Sequence, residues 1–268
     1  AGILPPVSPE ERIQLTAIYN AAGLMPNDRV WGYDRPFRAP HIGCSRTQLT
    51  GGAVNRLGEI SLAHAGVLFL DELPEFDRKV LEALRTPLEN GTFQSKLAGR
   101  WLLVPANFQL VAAMNLCPCS RMGLPEDDSP CVCTPREIRR YRQRVSHAFL
   151  DRIDIRVSVP ALKANELLEE RTEGESSEAV RSRVTRARTL QAERGVLNRW
   201  LRGSQLRSVC SLNARQKQFM EDAFRRFNLS GRAYDGVLRV ARTIADLEEE
   251  KEVQYEHLAE AISYRLLA

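Results

Sequence analysis

The chain has 268 residues, with 38 Lys and Arg against 34 Asp and Glu for a formal net charge of +4, and hydrophobic and charged shares of 43% and 27%. That composition is ordinary for a globular protein and excludes a collagen-like repeat, a purely disordered tail and a disulfide-dense mini-domain. No apolar run approaches the ~18 residues of a membrane helix, and the start AGILPPVSPEE has no basic region ahead of an apolar stretch, so a cytoplasmic chain with no membrane partner is expected.

Ser8, Pro9 and Glu11 read as a capping box with proline at the first helical position, which predicts a helix through about Ala22. Residues 26–58 are rich in Gly, Pro and Arg without a clean period and read mostly as loop with short elements. Val67, Leu68, Phe69 and Leu70 then form a continuous apolar run, the pattern of a parallel strand buried on both faces, and it ends in Asp71 and Glu72. Asp77 is placed to cap one helix carrying Val80, Leu84 and Leu88 at i, i+4 and i+8. Asn90-Gly91 is a turn signal, and TFQSKLAGRWLLVP beside it predicts a hairpin with a glycine-containing loop. Phe108 to Met114 is expected to be a second buried strand closed by Asn115. A cysteine-bearing loop, a helix from Thr134 and Pro135, and a third strand from Ile155 to Val159 follow, the last stopped by Pro160.

Beyond that point the character changes. Residues 162–175 are acidic and linker-like, and the rest predicts helices near 177–195, 213–227 with Asn213 as cap, 232–249 with Val237, Val240, Ile244 and Leu247 on one stripe, and 255–267. Strands alternating with helices, then helices alone, imply an α/β domain over 1–160 and an all-helical domain over 161–268. Basic residues are concentrated: Pro135 to Arg202 holds 16 Arg and Lys against 10 Asp and Glu. A nucleic-acid partner and a solvated helical face both fit that excess.

The sharpest chemical signal is Asp71-Glu72 after VLFL. Carboxylates at the carboxyl end of a buried strand sit where open α/β sheets place ligands. The first can hold Mg²⁺ and the second can orient or activate a water against a phosphoryl group, a Walker B pattern. The plainer alternative is a strand running into a polar turn. Asn115, at the end of the next strand, can help place that water if the two strands are neighbours. Arg152 in LDRID can reach a neighbouring subunit's γ-phosphate, and Arg232 in SGRAYDGVLRVARTIADLE can sense nucleotide from the second domain. Either arginine alone fits a surface ion pair as well.

PFRAPH, GEISLAHAGVLFLDELPEFDRKVLEALRTPLENG, FQLVAAMNLCPC, RYRQRVS followed by LDRID, and GRAYDGVLRVARTIADLE together resemble the magnesium-chelatase-like AAA+ ATPases, in particular their competence-related DNA helicase branch. The resemblance covers about Leu4 to Arg265. It implies a partial three-layer core with a parallel sheet, followed by a helical lid. It also implies a hexameric ring ATPase using ATP and Mg²⁺ on single-stranded or branched DNA, promoting branch migration in natural transformation and recombination. By motif match, Asp71 and Glu72 are then Walker B, Asn115 sensor 1, Arg152 the arginine finger and Arg232 the sensor 2 arginine. Two departures stand out. His41 is followed by Ile42 where the family has a second histidine. No GxxxxGKS/T occurs in the chain, whereas in the family this P-loop lies just upstream of the segment matching ILPPVSPEE. A piece beginning after the P-loop helix, with its central P-loop strand absent, is expected to hydrolyse no ATP alone, because the backbone cradle and phosphate lysine are missing. A chelatase-type motor subunit that drives metal insertion and a non-catalytic interaction module are the competing readings.

Four of the six cysteines fall within seventeen residues, as Cys117-x-Cys119 and Cys131-x-Cys133. In a reducing compartment such thiolates can close a tetrahedral Zn²⁺ site, although the one-residue spacing is tighter than the usual two. Free thiols in a loop are the alternative. Cys44 and Cys210 read as ordinary thiols, and His64, His147 and His257 as structural. Lys96 and Arg100 on the hairpin are the candidate DNA contacts, since related ring ATPases aim such a hairpin at the pore. Arg139, Arg140, Arg142 and Arg144 place four guanidinium groups on one predicted helix and cannot all share a face. Arg181, Arg183, Arg186 and Arg188 read as a solvated helix face.

Overall fold

The computed structural model describes residues 2–25, 30–32, 34–52, 56–97, 99–123, 130–160 and 174–266, so most of the acidic linker at 162–175 lies outside the described residues. It is a mixed α/β structure with a small parallel sheet and many helices, compatible with an AAA+-like core and a helical domain. The chain divides into two compact units, Pro6–Leu150 and the residues from Asp151 onward, the latter joined by Ile3–Pro5. Among the described residues no helix is long and apolar enough to cross a membrane.

In the first unit, α1 (Pro9–Ala21) starts at the Ser8 capping box, whose two reciprocal bonds satisfy donors that the first turn would otherwise orphan. Its Leu15, Ile18 and Tyr19 pack on Leu62 and Ala65, and the Tyr19 hydroxyl donates to the Leu62 carbonyl at 2.8 Å. The stretch read as mostly loop with short elements contains β1 (Phe37–Arg38) and α2 (Arg46–Thr50), the second opened by a Ser45–Gln48 capping box. After α3 (Glu59–Leu62), β2 (Val67–Leu70) is the central strand of a three-stranded parallel sheet, between β1 and Gln109–Ala112. Gly66 lets β1 and β2 close up: a Cβ there would overlap the Pro36 carbonyl, which accepts the Val67 N–H at 2.8 Å.

The single helix expected after Asp77 is two, α4 (Arg78–Ala83) and α5 (Arg85–Asn90). Pro87 is the cause. It has no N–H for the Ala83 carbonyl, so the ladder breaks at Leu84, whose N–H turns to Leu81 instead. Gly91, left-handed at φ 66°, ends α5 and leads into the hairpin β3 (Thr92–Leu97) and β4 (Arg100–Pro105), paired antiparallel as its sequence indicates.

Two strand expectations are corrected. β5 (Gln109–Ala112) exists and pairs parallel to β2, but in this chain it is not buried: among the described residues it stands at the edge of the sheet, with Val111 43% exposed. A strand with a neighbour on one side only is open along its other side, so apolar content alone overstates its burial. Ile155–Val159 forms no strand. It belongs to the second unit, is held there by the Arg156 N–H to the Tyr264 carbonyl at 3.0 Å, and leaves Ile155, Val157 and Val159 exposed.

The first unit continues with α6 (Pro135–Arg142), opened by a Thr134–Glu137 capping box, and α7 (His147–Leu150). The second contains α8 (Ser177–Glu193), α9 (Gly203–Val209), α10 (Ala214–Arg226), α11 (Gly231–Leu247) and α12 (Tyr255–Leu266). α11 runs through its core: Val237, Leu238, Ala241 and Ile244 meet Leu206, Met220, Leu258 and Ile262. Beside them lies a polar cluster. Asp246 accepts from Arg194 at 2.6 Å, Asn198 at 2.7 Å and Arg242 at 3.2 Å, and the Arg242 and Asp246 side chains are each 1% exposed.

Candidate functional site

Four apolar side chains hold β2 in the middle of its sheet, and the chain leaves it at Asp71 and Glu72, both exposed. The Glu72 N–H donates to Asp71 Oδ1 at 3.0 Å, and Glu72 itself is left-handed at φ 51°, ψ 49°. A non-glycine residue held there stores strain that the surrounding structure must maintain, and such residues cluster at functional sites. The turn is pinned on both sides, by Leu73 N–H to the Ala113 carbonyl at 2.9 Å and Ala113 N–H to the Leu70 carbonyl at 2.9 Å.

Since Leu70 pairs with Ala112 and β2 and β5 are direct neighbours, the exposed Asn115 leaves the sheet on the same side as Asp71 and Glu72. The donor set is two hard carboxylates and one amide. It fits a divalent cation such as Mg²⁺, with one Asp71 oxygen held by the backbone. It does not provide an anion cradle, and no GxxxxGKS/T is present in the chain to provide one.

Sequence reasoning passed over Tyr141. It is buried on α6, against the Asn115 backbone and close to Glu75 and Glu72; burial first, then the Glu75 carboxylate, pushes its hydroxyl above the ordinary range, while the Asn115 backbone pulls it down. Its only sequence signal was an aromatic residue in a strongly basic helix. Arg152 and Arg232 lie in the second unit, Arg152 half-buried just after its start and Arg232 exposed in the first turn of α11, behind the Ser230 cap.

The arginine group is corrected at one end: α6 closes at Arg142, so Arg144 is off the helix and pairs with Glu75 at 2.6 Å. Arg142 donates to the Leu116 carbonyl at 3.3 Å, and Arg139 and Arg140 are exposed. Arg183 and Arg186 are solvated pairs of Glu175 and Glu249. His64 is structural: its Nδ1 accepts the Asn107 N–H at 3.1 Å, its Nε2 meets Gln14 at 2.8 Å, and burial lowers its pKa to about 4. His257 is likewise engaged, by the Gln254 N–H and Glu248. Lys96 and Arg100 are both exposed beside the hairpin turn.

Cys117, Cys119, Cys131 and Cys133 converge, with all four sulfurs within 4.8 Å of one another. Cys117–Cys119, Cys119–Cys131 and Cys131–Cys117 are 3.4, 3.6 and 3.6 Å apart, and the Met122 N–H donates to Cys117 Sγ at 3.3 Å. The Cys119 thiol is drawn down to about 6, chiefly by the Arg121 backbone, whereas Cys133, which donates to it, is pushed up to about 12. The cluster can hold a metal ion. Cys44 and Cys210 stand apart as free thiols, Cys210 buried and donating to the Leu238 carbonyl at 3.5 Å.

Residues 1–167 match the family model described as magnesium chelatase, subunit ChlI, and residues 174–265 match that described as its C-terminal part. Competence protein ComM of Haemophilus influenzae is 42% identical over 268 residues, which cover 99% of this chain and 52% of that protein. The uncharacterized protein YifB of Escherichia coli is 41% identical over 268 residues, with 99% and 52% covered. The uncharacterized protein Rv2897c of Mycobacterium tuberculosis is 38% identical over 271 residues, with 98% and 53% covered. The chain thus spans about half the length of the curated relatives it matches. With both family models matched and similarity to such proteins over nearly the whole of this chain, the chain belongs to the magnesium chelatase subunit ChlI family, as a ComM/YifB-like member.

Proposed function

We propose that this chain supplies the distal part of an AAA+ ATPase core and its helical lid to an ATP-driven DNA motor. The observation that carries the reading is the pair Asp71-Glu72 at the carboxyl end of buried β2, with Asn115 leaving the neighbouring strand on the same side. In this reading Asp71 would hold Mg²⁺, usually through water, while Glu72 takes a proton from the attacking water and Asn115 orients it. Arg152 acts as arginine finger toward a neighbouring subunit of a ring, a hexamer, and Arg232 reports nucleotide from the lid. The open edge of β5 is where the strand leading into the P-loop would pair in the longer protein, and ATP binding waits on that segment. Lys96 and Arg100 contact DNA phosphates. Similarity to a competence protein supports a role in natural transformation, where the proposed work of the motor is helicase and branch-migration activity.

The four cysteines form a structural Zn²⁺ centre in the same reading. Tetrahedral Zn–S bonds of about 2.3 Å set S···S edges of about 3.8 Å; the 3.4–3.6 Å edges among Cys117, Cys119 and Cys131 need only a small expansion, and Cys133 lies within 4.8 Å of all three. Bound there, the ion ties the segment after Asn115 to the start of α6.

A second reading, a chelatase-type motor for metal insertion, is favoured by the family description itself. ATP hydrolysis by the full-length protein, with and without single-stranded and branched DNA, separates them. Strong DNA stimulation that falls about a hundredfold or more in Glu72→Gln is expected, the loss typical of removing a general base. Turnover indifferent to DNA would favour the chelatase reading, and none under any condition would leave a non-catalytic interaction module.

A further inference from the structure

The hairpin carries a feature that charge alone does not explain. Gln94, Lys96, Trp101 and Leu103 alternate onto one face of β3 and β4, with Lys96 directly opposite Trp101 and Gln94 opposite Leu103. On the other face Ser95 and Val104 are buried, while Leu102 is 47% exposed and Arg100 is exposed. On the outer face Trp101 is 70% exposed and Leu103 66% exposed. A tryptophan this open on a strand is unusual, because its indole is the largest apolar surface a side chain can bury. The hairpin has no carboxylate anywhere between Thr92 and Pro105, and its charges are Lys96 and Arg100.

We infer that this face is a base-stacking platform for single-stranded nucleic acid: one unpaired base lies on the Trp101 indole, with Leu103 flanking it and Lys96 meeting the adjoining phosphate. The inference rests on the reading of the chain as part of a DNA motor and adds the substrate form. Single-strand binders combine cations that track the backbone with aromatic rings on which bases stack, and stacking tolerates any sequence because every base offers a π-face. A directly opposed cross-strand pair holds its Cβ atoms about 5 Å apart, so the ammonium and the indole serve neighbouring parts of one nucleotide. In a duplex the base faces are already stacked and unavailable to the indole. The platform therefore selects unpaired strands, which a cation on the other face, such as Arg100, does not.

The test is binding of fluorescein-labelled oligothymidine by the full-length protein, read by anisotropy, together with quenching of the protein's tryptophan emission. Trp101→Ala is expected to weaken oligothymidine about tenfold or more and to lose most of the quench, while leaving duplex binding and the salt dependence unchanged. Trp101→Phe is expected to recover most of the affinity, and Lys96→Ala to lower the salt slope by about one. Because Trp101 is exposed, the variants keep the fold. Oligothymidine binding equal to wild type in Trp101→Ala would overturn the inference while leaving the DNA reading intact. So would a change in oligomeric state by sedimentation velocity, which would assign the face to a second copy of the chain. If the wild type binds no DNA, single-stranded or duplex, the motor reading and this inference both fall.

Discussion

Removing the Asp246 carboxylate tests the energetics of the helical unit at its most demanding point. Asp246 is 1% exposed and receives bonds from Arg194, Asn198 and Arg242, and Arg242 is equally buried, with its remaining N–H groups on the Lys251 and Glu250 carbonyls. In Asp246→Ala, Arg194 can swing to water because its side chain is 28% exposed, but Arg242 stays enclosed with no counter-charge. Taking one partner from a buried ion pair costs roughly 3–5 kcal/mol, since the charge left behind keeps its desolvation penalty. At about 4 °C per kcal/mol for a unit of this size, the melting midpoint should fall by roughly 12–20 °C. The comparison is Arg186→Ala, which removes the 2.8 Å pair with Glu249 on the same unit, where both side chains are more than half exposed. That pair should be worth about 1 kcal/mol or less. Thermal denaturation followed by far-ultraviolet circular dichroism reads both variants. Equal shifts would refute the argument that burial, and not the ion pair itself, sets the magnitude.

Acid should destabilise the first unit through His64. Its folded pKa of about 4 lies below the ordinary 6.5, so its contribution is complete above pH 6.5 and is lost as pH falls toward 4, amounting to about 3 kcal/mol; urea midpoints across that range should slope downward and flatten in His64→Gln, and an unchanged slope would contradict the assignment. Gly66→Ala should drive β1 from β2 by colliding with the Pro36 carbonyl, and soluble protein with a wild-type melting curve would show that the close approach is dispensable. Purified protein should contain about one zinc per chain by plasma mass spectrometry, falling to near zero in Cys119→Ser/Cys133→Ser; metal-free protein from zinc-supplemented cells with all four thiols titratable would rule the centre out.

Local chemistry written into neighbouring residues was legible in the sequence. The Ser8, Thr134 and Asn213 caps start helices where their side chains can reach a backbone N–H three residues on. VLFL is a buried parallel strand because nothing polar interrupts it, and Asn90-Gly91 and Gly99 bound a hairpin. The adjacency of Asp71 and Glu72 is covalent, so their shared position at a strand end needed no tertiary knowledge.

What depends on distant neighbours was not legible. Whether β5 is interior or edge is decided by which strands flank it, and Ile155–Val159 is apolar enough for a strand but pairs in none among the described residues, its Arg156 N–H going instead to the Tyr264 carbonyl. Pro87 stood in view, yet its break was masked by an intact i, i+4, i+8 pattern, because hydrophobic period reports the buried face and not the hydrogen-bond ladder. The Asp246 cluster joins residues 52 positions apart, and Tyr141 meets Glu75 only through packing of α6. Sequence thus determined most of the elements and the carboxylate pair, whereas the tertiary structure decided burial: which strand stands at the edge of the described sheet, which charges are enclosed, and that Trp101 faces water beside Lys96. Burial is a property of what the rest of the chain brings near a residue, and short-range pattern carries no record of it.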